Sequence, residues 1–132
     1  MINIFFQGRI KNKNQIIQSA EDLLYDLCPN CNHEVDINIE ILKEVDQQMA
    51  GYCWGDSEHI EIELARNSEG HTYTFCELLI NLTHELIHAK QLINGETHEW
   101  HKHMKYTDLP WEVEAYKLEE SLCAKHFGKI LG

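Results

Sequence analysis

The chain has 132 residues, 43% of them hydrophobic and 25% charged, which fits one soluble domain over 1–132 with a single core. A net charge of −11, with only 11 Lys and Arg, speaks against nucleic-acid binding by charge neutralisation, because that needs a basic face. No apolar run approaches the length of a membrane span, and Met1 to Ile10 lacks the basic-then-apolar pattern of a secretory signal, so the reading is cytoplasmic with no membrane partner.

Taken in chain order, Ile16, Ile17, Ala20, Leu23, Leu24 and Leu27 recur at helical spacing and predict a helix over about 13–27. Strict alternation in Val35-Asp36-Ile37-Asn38-Ile39-Glu40-Ile41 predicts a strand with one buried face. Residues 49–54 and 60–64 read as two further strands, close enough across Gly55-Asp56 to form a hairpin. Thr74 followed three residues later by Glu77 has the form of a capping box, opening a long helix from Phe75 to about Asn94, with Gly95 as its stop. Its apolar stripe includes Leu78, Leu79, Leu82, Leu86 and Ala89. A loop runs from Glu96 to Leu109. Pro110 then fits the first turn of a last helix carrying Trp111, Ala115, Leu118 and Leu122 on one face and ending at Gly128. One helix, three strands and two more helices predict an α+β fold on a small mixed or antiparallel sheet.

The long helix carries His84-Glu85-Leu86-Ile87-His88. A spacing of four puts both imidazoles on one face, one turn apart, where neutral ring nitrogens suit Zn²⁺. Glu85 is rotated by about 100° from His84, so it points beside the metal and can act as a general base on water. Two histidines inside so apolar a helix need partners. A catalytic zinc needs a third protein ligand and an open position. Glu112 is the first candidate, because Ala115 on the same face lets the last helix approach closely. Glu114 is the runner-up, offset by about 200° from Glu112. Glu96, His98, His101 and His103 are further candidates in the loop.

These residues carry a family resemblance. Leu82-Thr83-His84-Glu85-Leu86-Ile87-His88-Ala89-Lys90-Gln91, then Tyr106 and Pro110-Trp111-Glu112-Val113-Glu114-Ala115, resembles small phage and bacterial SprT-like zincins, over roughly residues 51–118. The resemblance implies a minimal zincin fold, a catalytic zinc, peptidase chemistry on a peptide or protein substrate, and host cytoplasm if the chain is phage-encoded. It implies Glu112 as third ligand in the pattern Glu, two residues, small residue, here Glu112-Val113-Glu114-Ala115. It also gives Tyr106, or more weakly His103, a part in stabilising the tetrahedral intermediate. Substrate would lie as an added strand along residues 51–54. The chain departs from SprT and Spartan proteases proper, which place a third His in a His-Gly-x-x-Phe-like segment. Here that stretch is Glu96-Thr97-His98-Glu99-Trp100, which leaves Glu96 open as the third ligand and weakens a DNA-associated role. A non-proteolytic zinc-binding structural or interaction module is the other alternative.

Five cysteines and no secretory signal favour reduced thiols over a disulfide framework. Cys28-Pro29-Asn30-Cys31 has the spacing of half a zinc ribbon. No second such pair exists, so a plain turn between helix and strand is preferred to a second metal site.

Overall fold

Buried residues alternate with less buried ones along the two central strands, and this alternation sets the architecture. A computed structural model of the chain describes residues 1–96 and 105–132. Its main elements are β1 (Ile2–Gln7), α1 (Lys13–Leu27), β2 (Val35–Leu42), β3 (Gly51–Gly55), β4 (His59–Ala65), α2 (Phe75–Ile93) and α3 (Pro110–Leu131). A two-stranded ribbon of Asn67–Ser68 with His71–Thr72 and short 3₁₀ turns at Asp46–Gln48 and Tyr106–Asp108 complete it. The fold is mixed, with three helices and a small sheet, and is compatible with the α+β expectation.

The sheet runs in the order β1-β2-β4-β3. β1, β2 and β4 are parallel to one another, and β3 is antiparallel to β4 at the edge. The expected hairpin is therefore present. The three expected strands are four, because Ile2–Gln7 also pairs, in parallel with β2 across α1. Ile2 and Ile4 alternate with Asn3, but Phe5-Phe6 breaks the pattern and leaves Phe5 exposed on the outer face. The period-2 signal is thus too short to read.

One face of the sheet is covered. Val35, Ile37, Ile39, Ile60, Ile62 and Leu64 point into a single core with Ile16, Ala20, Leu23 and Leu24 of α1, Leu79, Leu82 and Leu86 of α2, and Cys123 and Phe127 of α3. Each large side chain so buried contributes roughly 1.5–3 kcal/mol before the entropy of ordering is counted. The other face carries Asn38, Glu40, Glu61 and Glu63, with Tyr52 and Trp54 at its edge.

α2 begins on the expected capping box: Thr74 Oγ1 accepts from the Glu77 N–H at 3.1 Å, and the Glu77 carboxylate accepts from the Thr74 N–H at 2.9 Å. It ends in a Schellman arrangement, Glu96 N–H to Gln91 C=O at 2.9 Å and Gly95 N–H to Leu92 C=O at 3.0 Å, with Gly95 at φ +69°. α3 differs from expectation in two ways. It continues through Gly128 to Leu131, and its fully buried stripe is Glu112, Ala115, Cys123 and Phe127, with Trp111, Leu118 and Leu122 only partly buried. A stripe that includes a carboxylate does not register as a hydrophobic face, which is why the sequence pattern points to the neighbouring one. Among the described residues no helix is long and apolar enough to cross a membrane.

Candidate metal centre

α2 and α3 pack along much of their length, and Ala115, fully buried between them, allows the close approach. His84, Glu85 and His88 on α2 and Glu112 in the first turn of α3 are all buried. Ionisable groups that far from water need partners or a cation.

Three side chains converge. His84 Nε2 lies 3.0 Å from Glu112 Oε1. His88 Nε2 lies 3.2 Å from Glu112 Oε1, 3.0 Å from Glu112 Oε2 and 3.2 Å from His84 Nε2. What makes this a metal-binding geometry is the state of the two rings, which their other nitrogens decide. His84 Nδ1 is 2.7 Å from Glu119 Oε2, and a carboxylate only accepts, so Nδ1 carries the proton. His88 Nδ1 is 2.8 Å from Gln91 Oε1. The Gln91 amide nitrogen donates to the Trp111 carbonyl at 3.0 Å and to Glu114 Oε1 at 2.8 Å, so its oxygen must face His88 and accept. With Nδ1 donating in both rings, Nε2 of each is directed at Glu112. Two ring nitrogens and a carboxylate within 3.2 Å need something positive among them, which ring protons or a metal ion can supply. Among the described residues His84, His88 and Glu112 are the one group of side chains that could hold a metal.

Without a metal, the surrounding charges favour protonated rings beside an ionised Glu112, a positive charge that a metal ion would replace. Burial alone would push His84 down, but hydrogen bonds and charge from Glu112, Glu85 and Glu119 raise it to about 9. Burial likewise opposes, and Glu112 and Glu85 overcome, a rise at His88. Glu112 is held at about 2: its burial is outweighed by the hydrogen bonds and charges of the two histidines.

Glu85 does not join the three. Its carboxylate lies against β3, where a Cβ on Gly51 would come within 3.0 Å of Glu85 Oε2 and 3.1 Å of the Glu63 carbonyl oxygen. The glycine thus leaves the space the carboxylate occupies. Burial raises Glu85 to about 7, partly offset by the charges of His88 and His84, a value suited to taking and returning a proton near neutrality. Tyr106 hydrogen-bonds Glu112, and its phenol is pushed up by burial and by that carboxylate. Tyr116 sets its ring against His84 with centroids 4.8 Å apart. His84, Glu85, Tyr106, Tyr116 and Glu119 form one wall of a groove of about 1070 Å³, whose other wall is β3 and the turn before it.

The remaining candidates are placed elsewhere or lie outside the described residues. Glu114 pairs with Lys90 at 2.9 Å, and Glu96 pairs with the same lysine at 3.1 Å. His98, His101 and His103 lie outside the described residues. Cys31 Sγ sits 3.7 Å from the His33 carbonyl, Cys28 is a buried thiol raised to about 11 by burial, and the two close a turn through Cys31 N–H to Cys28 C=O at 3.1 Å. Sequence reasoning missed Glu119, Gln91, Tyr116 and the role of Gly51. Glu119 stands seven residues after Glu112, two turns along the same face, and Gln91 stands one turn after His88, so both had a positional signal. Gly51 had none, because only the fold brings β3 against α2. A scan against models of known protein families finds no match for the chain, and a search of curated proteins finds none either.

Proposed function

We propose that the chain is a zinc-dependent peptidase of the SprT-like zincin type, with His84, His88 and Glu112 as metal ligands and Glu85 as general base. The observation that carries this reading is the pair of fixed tautomers that turns both Nε2 atoms toward one carboxylate, with a second, unligating carboxylate beside them. The donor set fits zinc: bonds of about 2.0–2.1 Å to each donor in a tetrahedron put donors roughly 3.3 Å apart, close to the 3.0–3.2 Å found. Two imidazoles and one carboxylate are also the donor chemistry of hydrolytic zinc sites, with one position left for substrate or water.

When bound there, zinc supplies a Lewis acid that acidifies water and polarises a carbonyl. The chain's own groups do the rest. The Glu85 carboxylate, seated against Gly51, takes the proton from the attacking water and delivers it to the leaving amine. The Tyr106 hydroxyl, at the groove wall beside Glu112, donates toward the oxygen that gains charge as the carbonyl becomes tetrahedral. Glu119 and Gln91 hold the two imidazoles in the ligating tautomer. The free edge of β3 takes the peptide backbone as an added strand and fixes the scissile bond in register. The carboxylates along the groove would repel a phosphate backbone, which disfavours a DNA-associated role.

Metal analysis of the purified protein tests the ligand set. Zinc at one equivalent in wild type and in Glu96→Ala, and loss in Glu112→Ala, is the expected result; retention in Glu112→Ala overturns it. Glu85→Gln should keep zinc and lose hydrolysis of a casein-type substrate by roughly 10²–10⁴-fold. Hydrolysis undiminished in that variant would remove Glu85 from the mechanism.

A further inference from the structure

The groove's lining is strongly one-sided in charge. Asp46, Glu63, Glu85 and Glu119 all face it, and among the described residues no Lys or Arg lines it. Two of these carboxylates are occupied: Glu119 holds His84, and Glu85 sits against Gly51. The other two are not. Asp46 is exposed on the turn before β3, and neither it nor Glu63 forms an ion pair with a described residue. Glu63 stands directly across from Glu40 on β2, and burial together with Glu40, Asp46 and Glu61 pushes its carboxyl upward. Like charges placed side by side on a sheet cost stability unless a cation joins them.

Other features of the groove favour a polypeptide over a small cation. Tyr52 lies opposite Glu63 and Trp54 opposite Glu61 in the β3–β4 register, with the two rings 5.2 Å apart and 46% and 39% exposed. An ammonium or guanidinium seated at Glu63 therefore meets aromatic faces as well as a carboxylate. Among the described residues the backbone of β3 pairs with β4 alone, which leaves its outer edge open to them along the groove. On the facing wall Asn81 Nδ2 is buried without a hydrogen-bond partner among the described residues, a donor with no acceptor to satisfy it.

We propose that the groove recognises an extended polypeptide segment bearing a lysine or arginine, whose cationic side chain is received by Asp46 and Glu63 beside Tyr52 and Trp54. This rests on reading the groove as the peptide cleft of the proposed peptidase, and it names the class of substrate. A second copy of the chain is a poor occupant, since each copy carries −11. A nucleic acid is repelled by the same acids.

The test uses the full chain, zinc-loaded, as the Glu85→Gln variant, with fluorescein-labelled extended peptides identical but for Lys or Glu at two positions, read by anisotropy. The Lys peptide should bind at least about tenfold more tightly, with a preference that shrinks as salt is raised. In Asp46→Lys/Glu63→Lys added to that background, with folding checked by thermal melting, the preference should vanish or reverse. Equal binding of the two peptides, or a preference untouched by the double substitution, overturns the proposal. So does tighter binding of spermine than of the Lys peptide, which would make the cleft a polyamine site. Cleavage by the wild-type protein separates the two claims. Both peptides cut at one rate leaves the peptidase standing and removes the charge preference; selective binding with no cleavage does the reverse.

Discussion

Gln91 is neutral, yet it decides the protonation pattern of His88, because its own amide nitrogen is committed to the Trp111 carbonyl and Glu114. Replacing it by Leu keeps the volume and removes the acceptor, so the ring can turn or change tautomer. Metal affinity in Gln91→Leu should fall roughly 10–100-fold, measured by competition with a chromophoric chelator. An unchanged affinity would mean that helix packing alone orients the ring. Gly51 acts by what it lacks. A methyl group there collides with Glu85 Oε2 and with backbone that cannot move away cheaply. If the proposed peptidase reading holds, Gly51→Ala should keep one equivalent of zinc while lowering kcat/KM by roughly 10²-fold, the cost of displacing the proposed general base by about an ångström. Of the residues that matter at this scale, His84, Glu85, His88 and Glu112 were legible from spacing, since a helix turns sequence distance into a face. Gln91 and Glu119 on the same helices carried a positional signal that went unread. Gly51 was not legible, because its partner is 34 residues away and only tertiary packing pairs them.

At the scale of elements, α2 is held at its start by a box whose acid also binds His71, at 3.1 Å. The Thr74 N–H and His71 hold the Glu77 carboxyl below its usual range. A carboxyl lowered on folding stabilises the native state above its ordinary pKa, and that contribution is lost as pH falls through the lowered value. The difference in melting temperature between wild type and Glu77→Ala should therefore be present near neutrality and shrink as pH falls below the ordinary carboxyl range. A difference that is flat over this range would show that the cap works without its charge. On α3, Gly128 lies inside the helix, and a Cβ there meets nothing within 4 Å. Gly128→Ala should stabilise by about 0.5–1 kcal/mol, seen as a higher denaturation midpoint. This glycine also explains a misreading: near a helix end it looks like a stop, but α3 continues past it and is closed by Gly132 N–H on the Gly128 carbonyl. β2, β4, α1 and α2 were legible because each keeps its period for two turns or more, or for several alternations. β1 was hidden by Phe5-Phe6, and its parallel pairing across α1 is a long-range fact no local pattern carries.

At the largest scale, among the described residues the sheet is covered on one side, and β3 ends it with an unpaired edge beside the groove. An open strand edge is a template for any other extended chain, including another copy of the same protein. Bulges, prolines and lysines are common guards on such edges, but Gly51–Gly55 contains none of these residues. The guard available here is charge, from Asp46 and Glu63 beside the edge and from the net −11 of each copy. Such a guard depends on solution conditions. As pH is lowered toward the isoelectric point near 5.1, copies should begin to pair edge to edge, visible as growth in light scattering before the thermal transition moves. Asp46→Lys/Glu63→Lys should bring that onset to higher pH. The edge left open for a substrate would thus set the lowest pH at which the protein stays monodisperse.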